Sequence, residues 1–159
     1  MNDLSYSLPN GLGRVVFTAN VVEKLHSYKQ TRFFSKESGG QLFASFEDDI
    51  IRVFEITGPR KFDKRSKFSF FPHRKTEQIE IHNKYIKEHI HFVGDWHTHP
   101  EKTPKPSNCD QESVAKIMEE SRHSLQGIFL VIVGTVDFPD CLYVGYQTKT
   151  ELYTLGFLS

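Results

Sequence analysis

The stretch Gly127-Ile-Phe-Leu-Val-Ile-Val-Gly134 is an apolar run without polar alternation, bracketed by glycine. Such a run reads as a buried strand, which needs a sheet around it. Other strand-like runs and helical periodicities alternate around it. Gly13 to Thr18 reads as a strand, and Asn20 is the expected cap of a helix to about Gln30. Gly40–Phe46 and Ile50–Ile56 read as strands joined by a Glu47-Asp48-Asp49 turn. A short strand from Lys67 to Phe71 stops at Pro72, and a helix covers 73–89. A strand follows from Phe92 to His97, then a helix from Ser107 to about Ser121, with last strands at Leu142–Tyr146 and Leu152–Phe157. The pattern predicts an α/β fold, a mixed sheet flanked by helices.

A length of 159 residues suits a single domain over 1–159. Residues 1–12 are polar and rich in turn formers, so they are expected to be loosely ordered. Fourteen phenylalanines and a hydrophobic share of 38% exclude disorder for most of the chain. Lys+Arg and Asp+Glu are both 20, which argues against a globally basic nucleic-acid binder. Two cysteines exclude a disulfide scaffold. The first residues show no signal peptide, and no run is long enough to span a bilayer. The expectation is a cytoplasmic protein without a membrane partner.

The informative stretch is His97-Thr98-His99-Pro100, followed by Ser107 and Asp110. In an extended segment, side chains at i and i+2 share a face, so His97 and His99 can present two imidazoles to one ion. Asp110 lies beyond a Pro-rich loop that can fold back. Two His and one carboxylate suffice for a catalytic zinc with an open fourth position. Bound zinc can lower the pKa of its water from 15.7 to about 7. Ser107 and Asp110 also form an S-x-x-D capping box, and the two roles are compatible, because a helix N-terminus favours an ionised Asp110. His89-Ile90-His91 is a second H-x-H, but nothing suitable follows it, and a helix end accounts for it. A zinc-bound hydroxide would need a proton carrier, and spacing alone chooses none of the 20 acidic residues. Glu37 stands out only because Gly39-Gly40 follows it and lets a backbone or a substrate approach closely.

The combination of Glu37, His97-Thr98-His99-Pro100 and Ser107-Asn108-Cys109-Asp110 resembles the JAMM metalloproteases, the catalytic branch of the MPN domain family. The stretch ESGGQLFA is similar to the E-x-G-G-x-L segment of prokaryotic members. The resemblance implies an MPN fold related to the cytidine deaminases. It implies one zinc per chain held by His97, His99 and Asp110, with Glu37 as general base and then acid, and Ser107 steadying the oxyanion. GDWHTHPEKTPKPSNCD is similar to a bacterial subgroup found in CBASS anti-phage operons, with Asp95 where Glu is usual. That similarity implies a deubiquitinase-like isopeptidase. Its partner would be the C-terminal tail of a ubiquitin-like protein or of a cGAS-like nucleotidyltransferase. A fused activating-conjugating enzyme from the same operon would be a further partner.

Three rivals are weighed against this reading. A non-catalytic MPN scaffold typically lacks the ligand set that is complete here. A zinc deaminase needs H-x-E with P-C-x-x-C, and no C-x-x-C is present. Residues 60–75 carry seven basic side chains against Asp63, which would suit nucleic acid or an acidic partner, or a solvated loop. Trp96, alternating with His97, is expected to pack on the opposite face. Cys109 as a further ligand would close the open position. His26, His73, His82 and His123 have no usable partner spacing.

Overall fold

The computed structural model describes residues 1–120 and 125–159. Eight strands form one sheet: β1 (Leu4–Ser7), β2 (Arg14–Phe17), β3 (Gly39–Glu47), β4 (Ile50–Ile56), β7 (His91–Thr98), β8 (Ile128–Val133), β9 (Leu142–Gln147) and β10 (Leu152–Thr154). Their order is β1-β2-β4-β3-β7-β8-β9-β10. The β2–β4 and β7–β8 pairs are parallel and the others antiparallel, so the sheet is mixed as expected. A separate hairpin, β5 (Lys64–Ser66) with β6 (Ser69–Phe71), lies outside it. The helices are α1 (Ala19–Ser27), α2 (Arg74–Glu88) and α3 (Asn108–Glu120). The expected end of α3 at Ser121, and His123, lie outside the described residues. No helix among the described residues is long and apolar enough to cross a membrane.

The sheet curls until its ends meet. Ser5 N–H donates to Ser159 O at 2.8 Å, Leu158 N–H to Ser5 O at 2.8 Å, and Ser7 N–H to Gly156 O at 2.9 Å. Residues 4–8, expected to be loose, are thus ordered, because Leu4, Tyr6 and Leu8 are all buried beneath the polar composition. Helix α1 starts at Thr18 rather than Asn20. Thr18 offers no side-chain cap, and Asp3 Oδ1 accepts from Ala19 N–H at 2.8 Å instead.

The two faces of the sheet carry different cores. On one, Val21, Val22 and Leu25 of α1 pack with Leu42, Val93, Trp96, Phe129 and Val131. On the other, Val114 and Met118 of α3 pack with Ile128, Leu130 and Ile132. The strictly apolar β8 supplies both, as a strand covered on each face must. Trp96 is buried with the α1 core, and its indole N–H donates to Thr57 O at 2.9 Å.

A β-bulge decides which residues of β7 face α2 and α3. In the β3–β7 ladder Leu42 stands opposite Gly94 but Phe43 opposite Phe92, so Val93 is skipped. Without the bulge, Phe92 and His97 would fall on opposite faces; with it, Phe92, Asp95 and His97 share one. Gly94 permits the kink, since a Cβ there would lie 2.1 Å from Phe129 O. Gly94→Ala is expected to cost about 2–3 kcal/mol. A drop in Tm of about 5–10 °C would follow for a chain of this size. An unchanged melting curve would show that the bulge does not depend on that close approach.

Candidate metal centre and cleft

His97 and His99 leave the end of β7, and Asp110 lies in the first turn of α3. Three ligating atoms converge there. His97 Nε2 and His99 Nε2 are 3.1 Å apart, Asp110 Oδ1 is 3.1 Å from His97 Nε2, and Asp110 Oδ2 is 3.3 Å from His99 Nε2. A tetrahedral ion with bonds of about 2.0–2.1 Å has edges of about 3.3 Å. The triangle therefore fits a zinc-sized ion on donor type and on dimensions. Two imidazole nitrogens and a carboxylate also suit other divalent transition metals.

The capping box sets Asp110. Ser107 N–H donates to Asp110 Oδ2 at 2.8 Å, and Asp110 N–H donates to Ser107 Oγ at 3.0 Å. Burial by itself raises the Asp110 carboxyl. The two imidazoles and the Ser107 amide outweigh it and hold the group well below the usual carboxylate range. Burial likewise works against a charged His99, but Asp110, Glu37 and Glu101 more than offset it and raise its pKa. Glu101, which sequence reasoning missed, accepts from His99 Nδ1 at 3.0 Å. That contact fixes the proton on Nδ1 and turns the Nε2 lone pair toward the other donors. The available signal was position: Glu101 stands two residues past His99.

Glu37 and Ser38 precede β3. The register sets Gly39 opposite His97, and carrying it two residues further puts Glu37 opposite His99. Glu37 is only 4% exposed, and its carboxylate makes no hydrogen bond or ion pair among the described residues. Burial pushes it up to about 7; His99 pulls it down, and Asp110 and Glu101 add to the rise. A cation at the triad opposes that rise. Gly39 and Gly40 do admit close neighbours, the Phe70 ring and Thr57 O respectively, and both belong to the chain itself.

Glu37, Ser107, Cys109, His97, His99 and Asp110 line the polar end of a cleft of about 430 Å³. Its continuation is apolar, with Phe70, Phe71, Val114, Ile117 and Leu130. One wall is a buried polar cluster. Glu77, 2% exposed, accepts from Gln41 Nε2 and from Arg74 at 2.9 Å, and Arg74 lies 3.8 Å from Asp95. Burial and the neighbouring Glu77 raise the Asp95 carboxyl, with Arg74 opposing.

The three arginines of the basic segment 60–75 are engaged within the fold, while Lys61, Lys64 and Lys75 are exposed. Arg60 pairs with Glu80 at 2.6 Å and donates to Gln41, Arg74 pairs with Glu77, and Arg65 bonds Glu37 O and Ser38 Oγ. The bland account of His89-Ile90-His91 also stands. His89 is the left-handed C-cap of α2, and the His91 ring packs against Phe46 and Tyr85.

Comparisons with known proteins agree in direction. The family of prokaryotic homologues of the JAB domain matches residues 18–144. A CD-NTase/cGAS isopeptidase of Escherichia coli is 28% identical, covering 98% of this chain and 95% of its own. A Vibrio cholerae protein of the same name is 31% identical over 78% of each chain. A probable metalloprotease of Sinorhizobium fredii is 28% identical over 77% of this chain and 78% of its own. A Desulfitobacterium hafniense protein solved in solution shares the fold, with a TM-score of 0.62, 15% identity and 87% coverage of both chains.

Two measurements test this geometry. Glu101→Ala is expected to weaken zinc binding about 10–100-fold, read by competition with a chromophoric chelator, if Glu101 orients His99. For Asp95 the sign follows from its raised pKa. An unfolded Asp ionises near 4. Above that pH the folded state keeps its proton longer, so stability falls as pH rises toward the folded pKa. Asp95→Asn removes this penalty, so its Tm should gain on wild type more at pH 8 than at pH 5. A constant difference would contradict the buried acid pair.

Proposed function

The chain belongs to the prokaryotic JAB-domain family, and from that premise we propose that it is a zinc-dependent isopeptidase acting as one catalytic domain. Its substrate would be an amide bond joining the C-terminal tail of a cGAS-like nucleotidyltransferase to a target, so that it reverses conjugation in anti-phage defence. The observation that carries the proposal is the convergence of His97, His99 and Asp110 at the head of a cleft that Glu37 also lines. The isopeptidase names of the relatives support the reaction class and the kind of partner.

In this reading His97, His99 and Asp110 hold the ion. Bound there, zinc supplies Lewis acidity toward the scissile carbonyl and toward water. The apolar length of the cleft takes an extended tail and excludes water beside the reacting bond. Glu37, poised by burial, accepts a proton from the attacking water. Ser107 uses its Oγ lone pair on the Asp110 amide, which leaves its hydroxyl hydrogen to donate to the developing oxyanion. When the C–N bond breaks, Glu37 returns the proton to the departing amine nitrogen. The products are a free C-terminal carboxylate and a free amine.

A reporter protein fused behind the C-terminal tail of a cGAS-like nucleotidyltransferase provides the assay. Wild type should contain about one zinc and release the reporter, and Asp110→Ala should lose both. Glu37→Gln should keep its zinc and lose about 10²–10⁴-fold in kcat. Full activity in Glu37→Gln would remove Glu37 from the mechanism. A wild type that refuses added zinc would leave a non-catalytic scaffold as the better reading.

A further inference from the structure

Glu37 and Ser38 have every backbone polar group bonded. Ser38 N–H donates to Thr98 Oγ1 at 2.9 Å, and Ser38 O accepts from Thr98 N–H at 2.9 Å. These bonds tie the segment to the strand between His97 and His99. The other two groups face the hairpin β5–β6. Glu37 N–H donates to Ser66 O at 2.7 Å, and Glu37 O accepts from Arg65 Nε at 2.6 Å. The same guanidinium donates through Nη2 to Ser38 Oγ at 2.8 Å.

We propose that Arg65 is a positioning residue for Glu37: its guanidinium locks the Glu37–Ser38 backbone against the hairpin and so fixes where the Glu37 carboxylate stands in the cleft. The inference rests on the reading of Glu37 as proton carrier. Arg65 has no carboxylate within ion-pair distance among the described residues, so charge neutralisation does not explain its placement. Its acceptors are a carbonyl and a hydroxyl on adjacent residues, which Nε and Nη2 bond together in a fixed planar geometry that a rotatable lysine ammonium does not impose. The strand side of the segment sets its distance from His97 and His99. The hairpin side sets its rotation, which aims the side chain. A shift of about 1 Å at such a group can cost about 100-fold in rate.

The hairpin adds a consequence. Phe70 sits over Gly39, and Phe68 to Phe71 line the cleft. Arg65 thus joins the wall that a substrate tail would touch to the residue that would move its proton. A loose clamp misplaces Glu37 even when the triad is intact.

The test compares Arg65→Lys and Arg65→Ala with wild type and Glu37→Gln, using the nucleotidyltransferase-tail reporter fusion. Zinc content and Tm of Arg65→Lys should match wild type, while kcat falls about 10–100-fold and KM changes by less than about threefold. Hydrogen exchange at the Glu37 amide in the metal-free protein should quicken at least about tenfold in both variants, a readout independent of turnover. Wild-type kcat and exchange in Arg65→Lys and Arg65→Ala, beside an inactive Glu37→Gln, would overturn the inference and leave the proposed function standing. A kcat loss matched by loss of zinc in Arg65→Lys would also overturn it, making Arg65 part of the scaffold. An active Glu37→Gln would remove Glu37 as proton carrier, and this inference with it, while the isopeptidase reading would stand.

Discussion

In the β3–β7 ladder Gly39 faces His97, so the chain entering β3 runs beside the chain leaving β7. Antiparallel pairing has a period of two in side-chain direction, which puts Glu37 and His99 on one face just beyond the last paired residues. The ladder continues into Ser38 and Thr98, whose mutual hydrogen bonds extend the pairing one residue before β3. Thr98 is fully buried, and its hydroxyl also donates to Gln30 Oε1 at 2.9 Å. The residue between the two histidines thus carries the pairing, while the histidines face the cleft. A one-residue slip would send Glu37 to the opposite face from His97 and His99.

The bulge at Gly94 is the second half of the same constraint. It lets β7 serve two cores: Phe92 packs against the α3 side, and Val93 and Trp96 pack beneath α1. A regular strand would have to put His97 beside Trp96's present neighbours if Phe92 kept its place. Local disruption of the ladder therefore aims the imidazoles, and the surrounding packing holds the kink in place.

The elements that were legible in the sequence are those fixed by neighbours along the chain. Two imidazoles at i and i+2 and a capping box at Ser107–Asp110 are local patterns, and the structure brings those residues together. The strands from Ile50 and from Ile128, and helices α2 and α3, announced themselves by period and by flanking Gly or Pro. Features made by distant pairing did not. Glu37 was marked only by its glycines and by family resemblance, because its position opposite His99 depends on a register that no local pattern encodes. Residues 4–7 looked loose because their partners are residues 14–17 and the C-terminal residues. The hairpin strand Lys64–Ser66 was hidden in a run of basic residues whose charge suggested a solvated loop.

That basic run shows why composition misleads at a site of this kind. Three of its seven basic side chains, Arg60, Arg65 and Arg74, are hydrogen-bonded within the fold, to Glu80, to Glu37 and Ser38, and to Glu77. A buried carboxylate such as Glu77 is costly without donors. Gln41 and Arg74 supply them, and Arg60 bonds the same glutamine, so one polar network spans β3, α2 and the loop after β4. Through Gln41 and Arg74 the network reaches one wall of the cleft. Arg74 lines the cleft itself, while the neighbouring surface also carries aromatic rings, with Phe33, Phe34 and Phe68 each more than two-thirds exposed. Part of the charge counted along the sequence thus serves the fold itself, while Lys61, Lys64 and Lys75 stay exposed.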